Sequence, residues 1–296
     1  MRSECRLSVI MPARNESAAL QVLLPRLVAV APGAEIIVVD DGSTDDTATL
    51  AGGFGARVIS HRYAKGNGAA IKTGARAATG EILVFMDADG QHVPEDVPQL
   101  LAKIEEGYDM AVGARCMKDH AGAHRGFANR VFNWLASWMV NHRVEDLTSG
   151  FRAVRAERFH RFLYLLPNSF SYPTTLTMSF FRAGFSVIYV PVAMPPRIGH
   201  SHIRPLQDGV RFLLIIIKIG TLYSPLKLFL PISGAFFATG LGYYFYTYTI
   251  MHRFTNMTAL LFITSVLVFL VGIVSEQVSA LLYKDSDYAD SGDSAR

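Results

Sequence analysis

Cysteine is nearly absent: among 296 residues only Cys5 and Cys116 occur, and neither sits in a metal-like spacing. A disulfide-stapled scaffold and a cysteine-bound metal are excluded, and both thiols are expected to be reduced. Charge is sparse as well. A net charge of only +3, with no basic, aromatic-interleaved patch, gives no footing for nucleic acid. A P-loop is missing. Gly66-Asn67-Gly68 is not a dinucleotide fingerprint, because a third glycine does not follow and no strand immediately precedes it. No internal repeat is visible. Arg2, Glu4 and Arg6 interrupt any apolar leader, so no signal peptide is expected.

What the chain holds in excess is apolar residues, and they concentrate toward the C-terminus. Residues 228–250 carry no charge and 259–283 carry only Glu276, and each run is long enough to cross a bilayer as a helix. Neither shows a polar face, which argues against two core helices of a soluble domain. The polar link between them makes a hairpin. Arg204, Arg211, Lys218 and Lys227 precede the first span and Lys284 follows the second, against Arg253 alone in the link. The positive-inside rule therefore predicts a multi-pass protein of the inner membrane with its large N-terminal domain in the cytoplasm. Glu276 is expected to snorkel or to find a polar partner. The expected divisions are a folded domain over 1–203, an amphipathic juxtamembrane region over 204–226, the two spans within 227–284 and a disordered acidic tail over 285–296.

The N-terminal part alternates apolar runs with amphipathic segments. Strands are expected over 7–11, 35–40, 56–60, 82–86, 108–113 and 186–191, and helices over 16–30, 68–78, 95–105 and 129–140. Ser43 with Asp46 resembles a capping box that opens a further helix. A helix over 206–223 has the pattern of one lying in the membrane interface, although its first half reads equally well as core. The alternation predicts an α/β fold, a mostly parallel sheet with helices on both faces.

In such sheets ligands bind beyond the carboxyl ends of the strands. Four strand ends deliver polar groups there: Pro12-Ala13-Arg14-Asn15-Glu16, Asp40-Asp41-Gly42-Ser43, Asp87-Ala88-Asp89 and Gly113-Ala114-Arg115. Asp87 and Asp89, with the amide of Gln91, suit a hard divalent cation that keeps other positions for water and phosphate oxygens. Arg115 offers a planar fork to phosphate. Asp40 and Asp41 are acceptors, suited to ribose hydroxyls or the N–H edge of a base. The division of labour points to a nucleoside diphosphate.

Val9-Ile10-Met11-Pro12-Ala13-Arg14-Asn15-Glu16, Val38-Val39-Asp40-Asp41-Gly42-Ser43-Thr44-Asp45 and Met86-Asp87-Ala88-Asp89-Gly90-Gln91 together resemble family 2 glycosyltransferases of the GT-A fold. Asp146-Leu147-Thr148-Ser149-Gly150-Phe151-Arg152 and Arg197-Ile198-Gly199-His200-Ser201-His202 narrow the resemblance to polyprenyl-phosphate glycosyltransferases, among them the dolichol-phosphate mannose synthases. It covers nearly the whole chain, hairpin included.

The resemblance implies a nucleotide-sugar site of Pro12, Ala13, Asn15, Glu16, Val39, Asp40, Asp41, Asp87, Ala88, Asp89, Arg115, Arg197, Ser201 and His202. It implies Mg²⁺ or Mn²⁺ on Asp87, Asp89 and Gln91. Lipid phosphate would meet Arg125, Asn129, Ser149 and Arg152, and the catalytic positions would be Asp89, Asp146 and Arg125. His202 stands where the family usually has Lys, and Asn129 where many members have Ser. The implied activity is inverting transfer of one sugar from a UDP- or GDP-hexose to the phosphate of a membrane polyprenol, by a homo-oligomer, tetrameric in similar two-span members. Transfer to another glycan, lipid or protein acceptor is the alternative. A processive polysaccharide synthase is disfavoured because the chain has no Q-x-x-R-W string. A non-catalytic sugar-nucleotide sensor is disfavoured by the intact Asp87/Asp89/Gln91 set. The sugar and the base stay open.

Overall fold

The computed structural model describes residues 7–115, 123–169, 171–195 and 220–288. Seven strands form one sheet: β1 (Leu7–Ala13), β2 (Glu35–Asp40), β3 (Arg57–Ser60), β4 (Ile82–Phe85), β5 (Met110–Arg115), β6 (Arg152–Arg155) and β7 (Val187–Val192). Their order is β3-β2-β1-β4-β6-β5-β7, and every pairing is parallel except those of β6, which runs antiparallel to β4 and β5. Between and after them lie α1 (Ser17–Val30), α2 (Thr47–Gly53), α3 (Asn67–Ala77), α4 (Val97–Glu105), α5 (Ala123–Val140), α6 (Ala156–Arg161) and α7 (Tyr172–Arg182).

Helices bury both faces of the sheet, which is why its central strands read as unbroken apolar runs. On one face Val9, Met11, Val38 and Val84 join Leu20, Leu24 and Leu27 of α1 and Val97, Leu100 and Ile104 of α4 in a single core. On the other, Phe85 packs on Phe159 of α6 (4.7 Å between centroids) and edge-on to Tyr172 of α7 (6.5 Å). Parallel pairing aligns the carboxyl ends of β1, β2 and β4 on one rim. The ladder is carried past the strands by Asp41 N–H to the Ala13 carbonyl (2.8 Å) and Met86 N–H to that of Ile10 (3.1 Å).

Three elements are additions to the expected set: β6, α6 and α7. The expected capping box is absent. Helix α2 begins at Thr47, whose N–H donates to Asp45 Oδ1 (3.1 Å), and the Ser43 hydroxyl instead accepts the Asn15 N–H (2.9 Å).

The chain divides into two compact units, one of residues 1–138 and 142–203 and the other of residues 139–141 and 204–296. The second holds α8 (Pro225–Met251) and α9 (Asn256–Tyr288), antiparallel neighbours joined by a short link. Both are long and apolar enough to cross a membrane. Pro225 opens α8, where a missing N–H costs nothing, and His252 closes it in the left-handed region at φ 49°. Polar groups between the helices are paired. Ser233 Oγ donates to the Ser265 carbonyl and Ser265 Oγ to that of Ser233, both at 2.9 Å. Glu276 finds the polar partner expected of it: its carboxylate accepts the Leu226 N–H (3.2 Å) in the first turn of α8, where the helix dipole favours an anion. Helix α9 runs past 283 into the segment expected to be a disordered tail, since no Gly or Pro stops it. The expected interface helix over 206–223 lies outside the described residues except for its last turn.

Candidate active site

The loops after β1 and β2 are stitched together by their own short side chains. Asn15, at φ 55°, donates its N–H to Ser43 Oγ, and its Oδ1 accepts the Thr44 N–H (2.8 Å). Glu16 N–H donates to Thr47 Oγ1 (3.0 Å). Asn tolerates the left-handed region better than other non-glycine residues, so the sharp exit from β1 needs no glycine. Asp40 Oδ1 accepts the Ser43 N–H (2.9 Å), closing the turn from the other side. The side chains of Val39 and Ala88 are buried.

Asp41 is held by partners within the protein. It is buried, and its Oδ1 pairs with His61 Nδ1 (2.7 Å) and the Lys65 N–H (2.8 Å) while Oδ2 takes the Gly66 N–H (2.8 Å). His61 Nε2 in turn lies 3.0 Å from Thr73 Oγ1 on α3. Burial alone would raise the Asp41 carboxyl. The bonds from His61, Lys65 and Gly66 overcome it and hold the group below the ordinary carboxylate range. Asp41 thus organises the 61–66 loop beside the rim. Gly42 permits the close approach: at φ 71°, a Cβ there would stand 2.9 Å from the Ala64 nitrogen.

Asp87 and Asp89 emerge where β4 ends, both partly exposed. Asp89 Oδ1 accepts the Gln91 N–H (3.0 Å), and Asn67 Nδ2 approaches Asp87 Oδ1 (3.4 Å). Gly150 lies against the second carboxylate oxygen, because a Cβ added there would meet Asp87 Oδ2 at 2.9 Å. Beneath the turn sits His92, buried and stacked on Phe151 (5.0 Å, 18°). Its Nδ1 accepts the Asp87 N–H (2.8 Å). Burial pushes the imidazole below its ordinary value, opposed by the fields of Asp87, Asp89 and Asp146 and reinforced by Arg115. One buried ring therefore feels four of the charged groups expected at the site.

Among the described residues no three His, Cys, Asp or Glu side chains converge as a cage. Two partly exposed carboxylates on a tight turn nevertheless fit a divalent ion of the Mg²⁺ type, which takes one or two protein carboxylates and fills its other positions with water and substrate phosphate.

Arg115, the last residue of β5, points its Nε at Asp146 Oδ2 (3.6 Å). Asp146 Oδ1 accepts from Thr148 N–H (3.0 Å), Thr148 Oγ1 (3.0 Å) and Ser149 N–H (3.1 Å), an Asx turn that fixes the loop. Ser149 and Arg152 follow in the chain. Both are fully buried, and the Arg152 guanidinium donates to the carbonyls of Ser149 and Pro173 and to Thr177 Oγ1. It locks the Asp146 loop onto α7. Arg197, Ser201, His202 and the side chains of Arg125 and Asn129 lie outside the described residues.

His92 and Asn67 were not singled out by sequence as site residues. Only the position of His92, directly after the Asp87–Gln91 turn, offered a signal.

Comparison with known proteins agrees with this geometry. Residues 8–170 match the family model for glycosyl transferase family 2, and residues 224–281 match the GtrB C-terminal hairpin. Polyprenol monophosphomannose synthase of Mycolicibacterium smegmatis is 32 % identical over 214 residues, covering 67 % of this chain and 80 % of that protein. Dolichyl-phosphate hexose transferase of Haloferax volcanii is 29 % identical over 72 % of this chain and 93 % of its own. Among solved structures, glucosyl-3-phosphoglycerate synthase from Mycobacterium tuberculosis, in complex with Mn²⁺, UDP and glucosyl-3-phosphoglycerate, superposes with a TM-score of 0.58. It is 26 % identical and covers 73 % of this chain and 79 % of that one. A GT-A-like sheet with an acidic turn at the β4 end, followed by the apolar hairpin, places this chain in glycosyltransferase family 2, among relatives of the polyprenyl- and dolichyl-phosphate sugar transferases.

Proposed function

We propose that this glycosyltransferase moves one hexose from a nucleotide-sugar to the phosphate of a membrane polyprenol. The observation that carries the reading is the joining, in one chain, of an acidic catalytic rim to an apolar helical hairpin. A long isoprenoid stays in the bilayer, so its phosphate is presented at the surface where such a hairpin would hold the enzyme. Names of relatives from two sources, a polyprenol monophosphomannose synthase and a dolichyl-phosphate hexose transferase, support the acceptor class. The superposed synthase that binds Mn²⁺ and UDP supports the donor class.

An oxygen of the acceptor phosphate attacks the anomeric carbon from the face opposite the nucleotide. The bond from that carbon to the nucleoside diphosphate breaks, its electron pair leaves with the diphosphate, and the centre inverts. The acceptor is already anionic, so no strong base is required. Asp87 and Asp89, with Gln91, are the residues that would hold Mg²⁺ or Mn²⁺, which when bound neutralises charge on the departing diphosphate. Arg115 supplies a fixed cation at the same rim. Asp146 holds Arg115 in place and orients the loop on which the acceptor is received. The cytoplasmic side is where the Lys and Arg flanks of the hairpin would place this chemistry.

The test is a panel of labelled UDP- and GDP-hexoses given to the purified protein in vesicles containing undecaprenyl phosphate. Label entering the organic phase as a mild-acid-labile lipid is expected for one donor. Release of nucleotide without lipid labelling, or labelling of a glycan or protein instead, would overturn the acceptor.

A further inference from the structure

Asn67, the first residue of α3, is rooted in backbone that is pinned on both sides. Before it, the Lys65 and Gly66 N–H groups donate to the Asp41 carboxylate, each at 2.8 Å. Around it, the helix start presses on the 167–169 backbone. A Cβ at Gly66 would overlap the Asn168 carbonyl oxygen and one at Gly68 that of Pro167, and the Ala69 N–H donates to the same Asn168 oxygen (3.2 Å). From this fixed root the Asn67 side chain meets Asp87, with Nδ2 donating to Oδ1 at 3.4 Å. Turning the amide over would set its oxygen against the carboxylate, so the donor side must face Asp87. That orientation leaves Asn67 Oδ1 buried and, among the described residues, without a donor. A buried acceptor that lacks a donor weakens the fold, and an apolar side chain of the same shape would not. The fold alone therefore gives no reason for an amide here. The contact with Asp87 does.

We propose that Asn67 is a positioning residue for the divalent-ion site: its amide fixes Asp87 Oδ1 and so sets the direction in which the carboxylate meets an ion. Asp87 is then held at three points. Its N–H donates to His92 Nδ1 (2.8 Å), Asn67 takes Oδ1, and Gly150 stands so close that a Cβ there would meet Oδ2 at 2.9 Å. A carboxylate already held loses less freedom when it captures an ion, and outer partners of this kind tune metal sites. The choice of an amide has its own logic. Asn orients the carboxylate without neutralising it, whereas Lys or Arg at the same place would compete with a cation for the same charge. Through Lys65 and Gly66 the restraint reaches back to Asp41, so the ends of β2 and β4 are tied by one short segment. The inference rests on the proposed role of Asp87 as an ion ligand.

Asn67→Leu nearly keeps the shape while removing both the donor and the unpaired acceptor. The full-length protein is titrated with Mn²⁺, alone and with UDP or GDP, and free ion is followed by its electron paramagnetic resonance. Melting is measured separately, in chelator. Asn67→Leu is expected to bind Mn²⁺ roughly ten- to a hundredfold more weakly and to melt no lower than wild type. Asn67→Ala, which also lacks the donor, should weaken ion binding by a similar factor whatever its melting temperature. Wild-type Mn²⁺ affinity in both variants, with binding weakened in Asp87→Asn, would overturn the inference and leave the ion site standing. Ion affinity that falls only as the melting temperature falls would overturn it too, making Asn67 part of the packing alone. Mn²⁺ binding absent from wild type, or unaltered in Asp87→Asn, would overturn the proposed ion site and the inference with it. No sugar transfer enters any of these readouts.

Discussion

The backbone N–H of Asp87 donates to Nδ1 of His92 at 2.8 Å, which puts the imidazole proton on Nε2, the nitrogen facing Asp87 Oδ2 at 3.9 Å. The peptide of the first acidic residue thus selects the tautomer, and burial keeps the ring neutral. A buried ring stacked on Phe151 in this way anchors an otherwise exposed turn.

Replacing His92 by Phe keeps a ring against Phe151 but removes the acceptor for the Asp87 N–H. The unpaired donor should cost about 1–3 kcal/mol. Loss of an outer partner of a metal-binding carboxylate should weaken divalent-ion dependence of the transfer rate roughly ten- to a hundredfold. A metal titration that superposes on that of the wild type would show that His92 does not position Asp87.

Arg152→Met leaves the Ser149 carbonyl without its buried guanidinium donor and takes one donor from the Pro173 carbonyl, which keeps Thr177 Oγ1. A loss of about 3 kcal/mol is expected, read as a lower melting temperature of the detergent-solubilised protein. KM for the lipid acceptor should not change in the enzyme that remains folded. Normal stability with a raised acceptor KM would return Arg152 to the lipid phosphate.

Asp146→Asn retains an oxygen for the Thr148 and Ser149 N–H groups and removes the charge facing Arg115. Transfer should slow on the order of ten- to a hundredfold with the melting temperature unchanged. An unchanged rate would confine Asp146 to shaping its loop.

Asp41 links stability to pH. Its folded value lies below the ordinary one, so the carboxylate stabilises the fold above the ordinary carboxylate range, and that contribution is lost as pH falls through the folded value. The stability gap between wild type and Asp41→Asn should be full at neutral pH and shrink once pH drops below about 4. A gap that persists unchanged in acid would contradict the His61 and loop-amide pairing as its source.

Strand β2, over 35–40, was legible residue for residue, because a β-branched run bounded by Gly and Asp has one reading. The rim followed from it. Helix α7 was hidden for a physical reason. Tyr172 to Phe180 are all buried, so no stripe shows, and its Thr-rich sequence is a poor helix former that tertiary packing overrides. Strand β6 is four residues long with an Arg at each end, and its Arg152 reads as a surface group until its acceptors on α7 are seen. For Asp41 the residue type was legible and the partners were not, since His61, Lys65 and Gly66 come from a different loop.

The most direct test of the central claim is sugar transfer to undecaprenyl phosphate by wild-type protein and Asp89→Ala, each titrated with Mg²⁺ and Mn²⁺ after chelator treatment. Wild type should be inactive in chelator and recover with either ion, while Asp89→Ala should fall by roughly 10²–10³ and stay low at saturating metal. Equal turnover of the two proteins in chelator would contradict a cation held by the β4 turn as the device that releases the nucleoside diphosphate.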